Sequence, residues 1–137
     1  MAGYSGTPLS KKLGIKDSFR VALIGMPREV RGEIAESLVG CTITKALDGP
    51  LDFVHLFSRS RADLETELKR AAKTLAPAGM LWVSWPKKSS GVTTDLTEDV
   101  IRGIGLKAGL VDIKVCAVTE VWSGLKFVIP VSKRAGR

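Results

Sequence analysis

The chain has 137 residues, 45% of them hydrophobic, a net charge of +7 and an isoelectric point near 9.7. That length suits one domain with its own core, recurring apolar residues exclude disorder over most of it, and two isolated thiols, Cys41 and Cys116, exclude a disulfide scaffold or a cysteine metal site. No apolar run nears the roughly 18–20 residues of a membrane helix, and the N-terminus lacks the charged start and apolar stretch of a signal peptide, so a cytoplasmic protein without membrane contact is expected.

Residues 1–19 read as a lead-in, with one helical turn from Pro8 to Leu13 stopped by Gly14. Arg20–Ile24 is a short apolar run halted by Gly25-Met26-Pro27, the pattern of a strand buried on both faces. Val30, Ile34 and Leu38 fall on one helical stripe, with Pro27 and Glu29 suited to its N-terminal turn. Cys41–Thr44 reads as a second strand and Asp52–Phe57 as a third, separated by an Asp48-Gly49-Pro50 turn. Ser60 and Asp63 have capping-box spacing ahead of a helix over Arg61–Leu75, whose apolar face is Leu64, Leu68, Ala71, Ala72 and Leu75.

Pro77-Ala78-Gly79 breaks that helix, and Met80–Trp85 reads as a fourth strand closed by Pro86. Asp95 and Glu98 again have capping-box spacing, ahead of a helix running to about Ala108 and weakened by Gly103 and Gly105. From 110 to 130 the period changes to two, and Ser123-Gly124 stands between the two alternating runs as the turn of an antiparallel hairpin. Alternating strands and helices predict an α/β fold: three layers, a mostly parallel Rossmann-like sheet of about six strands, and the hairpin at its C-terminal end. Residues 20–131 form this single domain and residues 132–137 a basic flexible tail.

Leu75–Val83, with a leucine, a proline and a glycine ahead of an apolar strand, resembles the segment after the fourth helix of class I methyltransferases. Ala108–Ile113 resembles the same fold's last helix entering its terminal hairpin. The likeness implies a methyltransferase-like topology over roughly residues 20–130. Met1–Lys16, together with Trp85–Lys88 and Thr94–Leu96, is similar to a bacterial family of short proteins of unknown function, which implies no activity. Against the methyltransferase pattern, Leu23 stands at the acidic position of the first strand, only Gly25 remains of its glycines, and Pro27 and Glu29 take later glycine positions. Only eight residues separate Thr44 from Phe53, which leaves no room for the helix and strand normally inserted there. The topology is therefore a reduced one, and no cofactor is expected.

Open α/β sheets bind ligands beyond the carboxyl ends of their strands, where strand order reverses. With the order second, first, third, fourth and then the hairpin, that point lies between strands one and three. The candidate ligand-binding residues there are Gly25, Arg28, Arg59, Arg61, Trp85, Lys87 and Lys88. Five cations and two helix N-termini favour an anion, and Trp85 would stack on a planar ligand. The alternative is a set of solvated basic loop ends on a basic protein. His55 reads as a structural histidine, partly buried in the third strand, because no nucleophile or orienting acid is recognisable beside it. Neither cysteine has a redox partner in sequence, Ser89-Ser90-Gly91 lacks a P-loop's pattern, and no metal site is expected.

Three functions follow from these features. The first is a non-catalytic module that binds an anionic metabolite or a protein partner at the crevice. The second is a divergent S-adenosylmethionine-type transferase. The third is a basic accessory protein making non-specific nucleic-acid contacts, since no sequence-reading motif is present.

Overall fold

The computed structural model describes residues 7–136. Residues 1–6 of the expected lead-in and Arg137 of the expected tail lie outside the described residues. The elements in order are α1 (Leu9–Leu13), β1 (Arg20–Ile24), α2 (Arg28–Leu38), β2 (Thr42–Thr44), β3 (Leu51–Phe57), α3 (Arg61–Thr74), β4 (Leu75–Pro86), α4 (Glu98–Lys107), β5 (Val111–Ala117) and β6 (Trp122–Val128). They form one six-stranded sheet in the order β2-β1-β3-β4-β6-β5. β2, β1, β3 and β4 are parallel, while β6 runs antiparallel to both β4 and β5.

Helices cover both faces. On one, Leu9 and Leu13 of α1 and Val30, Ile34 and Leu38 of α2 pack on Val21, Phe53, Phe57 and Trp82. On the other, Leu64, Leu68 and Ala71 of α3 and Ile101 and Ile104 of α4 pack on Val54, Leu56, Leu81, Val83, Leu125 and Phe127. Each large aliphatic or aromatic side chain so buried contributes roughly 1.5–3 kcal/mol against its exposed state. The three-layer α/β architecture is the one the alternating pattern predicts.

Local signals set most element ends. Gly14, at φ +86°, closes α1, its N–H donating to Ser10 O and Lys11 O. Ser60 Oγ accepts the Asp63 N–H at 3.3 Å, the predicted cap of α3. At the second capping-box match the roles differ from those expected. Thr97 caps α4 by accepting the Val100 N–H at 3.2 Å. Asp95 instead reaches across the chain, and its Oδ1 accepts the Arg61 N–H at 2.7 Å, the first turn of α3.

Three further expectations are corrected. Pro77-Ala78-Gly79 does not separate α3 from its strand. β4 begins at Leu75, and the β3–β4 register jumps from Leu51↔Leu75 to Phe53↔Met80, so the proline sits in an irregularity where no ladder hydrogen bond is needed. Ser123 and Gly124 are not the hairpin turn but lie inside β6. A Cβ on Gly124 would lie 3.1 Å from Trp82 Cε3 and 3.0 Å from Val118 Cγ2, so the glycine makes room for the tryptophan across the ladder, and the reversal falls at residues 118–121. The expected tail carries 3-10 turns over Val131–Gly136, with Arg134 Nε donating to Ile129 O at 2.9 Å.

Candidate functional site

The strand order changes direction at β1, which has β2 on one side and β3 on the other. Because β1, β3 and β4 are parallel, Ile24, Phe57 and Pro86 end at the same edge of the sheet. Gly25, at φ +71°, follows β1 directly, and a Cβ there would stand 3.1 Å from Phe57 O. Only glycine suits both that backbone angle and that approach. Arg28 lies three residues beyond Gly25 and Arg59 two beyond Phe57, so the close strand ends put two exposed arginines on neighbouring chain exits.

The two helix N-termini at this edge differ. Pro27 precedes α2 and gives it no side-chain cap, so among the described residues the first-turn amides beside Arg28 have no side-chain acceptor. The N-terminus of α3 is filled by the protein itself. Asp95 takes the Arg61 amide, Ser60 takes the Asp63 amide, and Thr94 Oγ1 donates to Arg59 O at 2.7 Å. Arg61 stands 3.9 Å from Glu65 through its Nε. The segment from Thr94 to Asp95 therefore occupies the place that an external anion would take on α3.

A pocket of about 570 Å³ lies beside the end of β3, lined by Phe57, Ser58, Arg59, Ser60, Asp63, Thr66 and Glu67. Of the predicted residues it contains Arg59 alone. It also brings in two carboxylates that the sequence reading did not include. Burial, with Asp63 nearby, raises the Glu67 carboxyl above its ordinary value, and Arg70 partly offsets this. The pocket thus pairs one exposed cation with hydroxyls and acids, and suits a ligand carrying both an anionic group and hydrogen-bond donors.

The remaining predicted residues part company. Trp85 is buried, 7% exposed, within the core between the sheet and α3 and α4. Its ring has no free face, so the expected stacking role is withdrawn. Lys87 donates its backbone N–H to Val121 O at 2.7 Å, which ties it to the hairpin tip, and Lys88 begins a 3-10 turn (Lys88–Ser90). Neither lysine lines the pocket at β3.

His55 is wholly buried rather than partly so. One ring nitrogen, Nε2, lies 2.7 Å from Ser84 Oγ, and the other, Nδ1, has no partner. Phe57 stacks on the imidazole at a centroid distance of 4.3 Å. Burial lowers its pKa to about 3, so the ring is neutral. A hydroxyl beside an imidazole has the outline of a nucleophile and base, yet no carboxylate orients this ring and no solvent reaches it. The serine was invisible in sequence because 29 residues separate the pair. Cys41 and Cys116 are free, and burial raises both thiols. Among the described residues no group of three metal-ligating side chains occurs, and no helix is long and apolar enough to cross a membrane.

Comparison with known proteins agrees with the architecture. The magnesium protoporphyrin IX methyltransferase of Synechocystis PCC 6803, solved with bound SAH, superposes with a TM-score of 0.57 at 12% identity, covering 89% of this chain and 78% of that one. The precorrin-6y C5,15-methyltransferase of Geobacter metallireducens GS-15 gives 0.55 at 12%, covering 89% and 86%. An O-methyltransferase of neocarzinostatin biosynthesis gives 0.62 at 12%, covering 94% of this chain but only 51% of that one. These likenesses establish a Rossmann-like, methyltransferase-like fold. No curated protein matches the chain. Residues 11–131 match the family described as "Protein of unknown function (DUF3052)".

Proposed function

We propose, for a chain that belongs to the DUF3052 family of proteins of unknown function, a non-catalytic binding role at the carboxyl edge of the sheet. The ligand is a small molecule with an anionic group, held between Arg28 at the open end of α2 and Arg59 beside the β3 pocket. The observation that carries this reading is the tight Gly25–Phe57 approach, which sets the two arginines on adjacent strand exits at the switch point. The uncapped first turn of α2 adds backbone amides for the same anion. Asp63 and Glu67 select against a bare polyanion and favour hydroxyls or an amine on the rest of the ligand.

A divergent S-adenosylmethionine transferase is the second reading, favoured by the methyltransferase fold of the structural neighbours. The local residues argue against it. Leu23 occupies the position of a strand-one acid, and only residues 45–50 join β2 to β3, so the sheet lacks the unit that would follow. Isothermal titration and amide-shift mapping with adenosine monophosphate and with S-adenosylmethionine separate the two. Adenosine monophosphate is expected to move the Gly25, Arg28 and Arg59 amides, and Arg28→Ala to weaken binding about tenfold, the loss of one charge-assisted contact. Binding of S-adenosylmethionine alone, with methyl transfer to any acceptor, would replace this reading with the second. No shift at these three residues with either compound would end both.

A further inference from the structure

The positive charge of this protein gathers at a second place. One cross-strand row runs Leu23, His55, Trp82, Lys126 and Lys114 over β1, β3, β4, β6 and β5. His55 and Trp82 are buried, Lys126 is half-buried, and Lys114 is exposed. The row therefore leaves the core under α1 and ends in two lysines directly opposite each other. Like charges in a directly opposed pair destabilise a sheet.

The end of α1 forms a wall over this pair. Lys114 Nζ donates to Lys12 O at 3.1 Å. Lys126 Nζ stands at the α1 C-cap, 3.9 Å from where a Cβ on Gly14 would be. Lys16 follows Gly14 by two residues. Burial lowers the Lys126 pKa, and the charges of Lys114 and then Lys16 lower it further. The carbonyl end of α1 accounts for Lys114. Lys126 and Lys16 form no ion pair with a described carboxylate. The acid on β5, Asp112, is already bound by Arg102 Nε at 2.9 Å.

A fold that opposes two lysines, brings up a third and pairs neither Lys126 nor Lys16 with a described carboxylate holds a repulsion that a bound phosphate would reduce. We infer that the corner between the C-terminal end of α1 and the β5–β6 face is a phosphate-binding site formed by Lys16, Lys114 and Lys126. It lies on the face of the sheet, four residues back from the carboxyl edge along β4, since Lys126 pairs with Trp82 and not with Pro86. It is separate from the arginine site. The phosphate comes either from a free phosphate or monoester, or from a nucleic-acid backbone.

The test uses the full-length, isotope-labelled protein, with inorganic phosphate in one titration and an oligothymidylate octamer in the other. Saturable shifts at Gly14, Lys114, Cys116 and Lys126 are expected. An octamer bound about tenfold or more tighter than phosphate, with log affinity falling against log salt at about −0.7 per contact and so about −2 for three lysines, identifies a nucleic-acid backbone. Equal or weaker octamer binding identifies the free ion or a monoester. Lys126→Gln is expected to lower affinity about tenfold and to raise the urea midpoint at low salt, because the opposed charges are gone. Lys114→Gln, at an exposed position, repeats the binding test independently. Arg28→Ala leaves the corner's affinity unchanged, so failure here and failure at the arginine site read out apart. Absence of shifts at the corner in both titrations overturns the inference. So does a Lys126→Gln protein that binds as before and is less stable, which would assign these lysines to the end of α1 alone.

Discussion

Gly103 and Gly105 lie two residues apart in the interior of α4, and replacing each by alanine separates helix propensity from packing. Propensity alone favours both substitutions by about 1 kcal/mol. The surroundings differ. Gly103 is exposed, and a Cβ there meets nothing within 4 Å. Gly105 is buried against β6, and its Cβ would lie 2.5 Å from Phe127 Cζ and 2.7 Å from Cδ1. Carbon atoms rest at roughly 3.5–4.0 Å, so the ring or the helix must withdraw by about 1 Å or more. Phe127 is fully buried in the cluster that holds Ile101, Ile104, Leu125 and Ile129, which leaves it no vacant direction. Overpacking of this kind costs about 1–3 kcal/mol.

Gly103→Ala is therefore expected to stabilise the protein by up to about 1 kcal/mol, and Gly105→Ala to destabilise it by up to about 2 kcal/mol after the propensity gain is subtracted. Urea unfolding followed by tryptophan fluorescence measures both, with an unchanged m-value as the control for a common unfolded state. Adding Phe127→Leu to Gly105→Ala should cost less than the two single changes summed, because the clash is shared. A Gly105→Ala protein as stable as Gly103→Ala, or additive with Phe127→Leu, would refute the seating of α4 on that ring.

Three further outcomes are expected. In the unfolded chain His55 takes up a proton near its ordinary value of 6.5, whereas the folded ring resists until about 3. Stability should thus fall as pH drops below 6.5, by at most about 1.4 kcal/mol per pH unit from this one group, and His55→Gln should flatten that slope in urea midpoints taken at pH 7 and pH 5. Asp95→Ala should cost about 0.5–2 kcal/mol as a lost cap, and sulfate should then shift the Arg61 amide in the variant but not in the parent. Trp82→Phe removes the bond from Nε1 to Leu13 O, 2.8 Å long. It should cost about 1–3 kcal/mol through the stranded carbonyl and speed hydrogen exchange in α1.

The strand order was legible because alternating strands and helices, joined by short connections, leave few arrangements. What sequence did not show depended on partners distant along the chain. Gly124 has the look of a turn glycine, and only the ring of Trp82 explains its place within β6. Gly79 looks like a helix breaker, yet a Cβ there would stand 2.6 Å from Leu51 O, so it lets β3 and β4 close. Asp95 satisfies the spacing of one helix's capping box and serves another helix. The position of Gly25, Arg28 and Arg59 at the carboxyl edge of the sheet followed from topology, because the ends of parallel strands share an edge. The inward turn of Trp85 did not follow, since a strand buried on both faces shows no alternation to read. Asp63 and Glu67 were readable in principle, one helical turn apart on the end of α3 that faces the pocket.

The single hydrogen bond between His55 and Ser84 has a consequence for how the chain finds its alignment. The ladder joining β3 to β4 opens loosely, with one residue of β3 set against four of β4 between its first two pairs. A slip of two positions keeps every side chain on its proper face, so apolar contact alone discriminates weakly against it. Such a slip would bring Trp82 or Pro86 to the place of Ser84. Proline has no polar side chain, and tryptophan would answer the imidazole only by releasing Leu13. Either way a polar group is stranded in the interior, at roughly 1–3 kcal/mol. One hydroxyl thus works as a dowel, keying two strands whose greasy surfaces would otherwise slide.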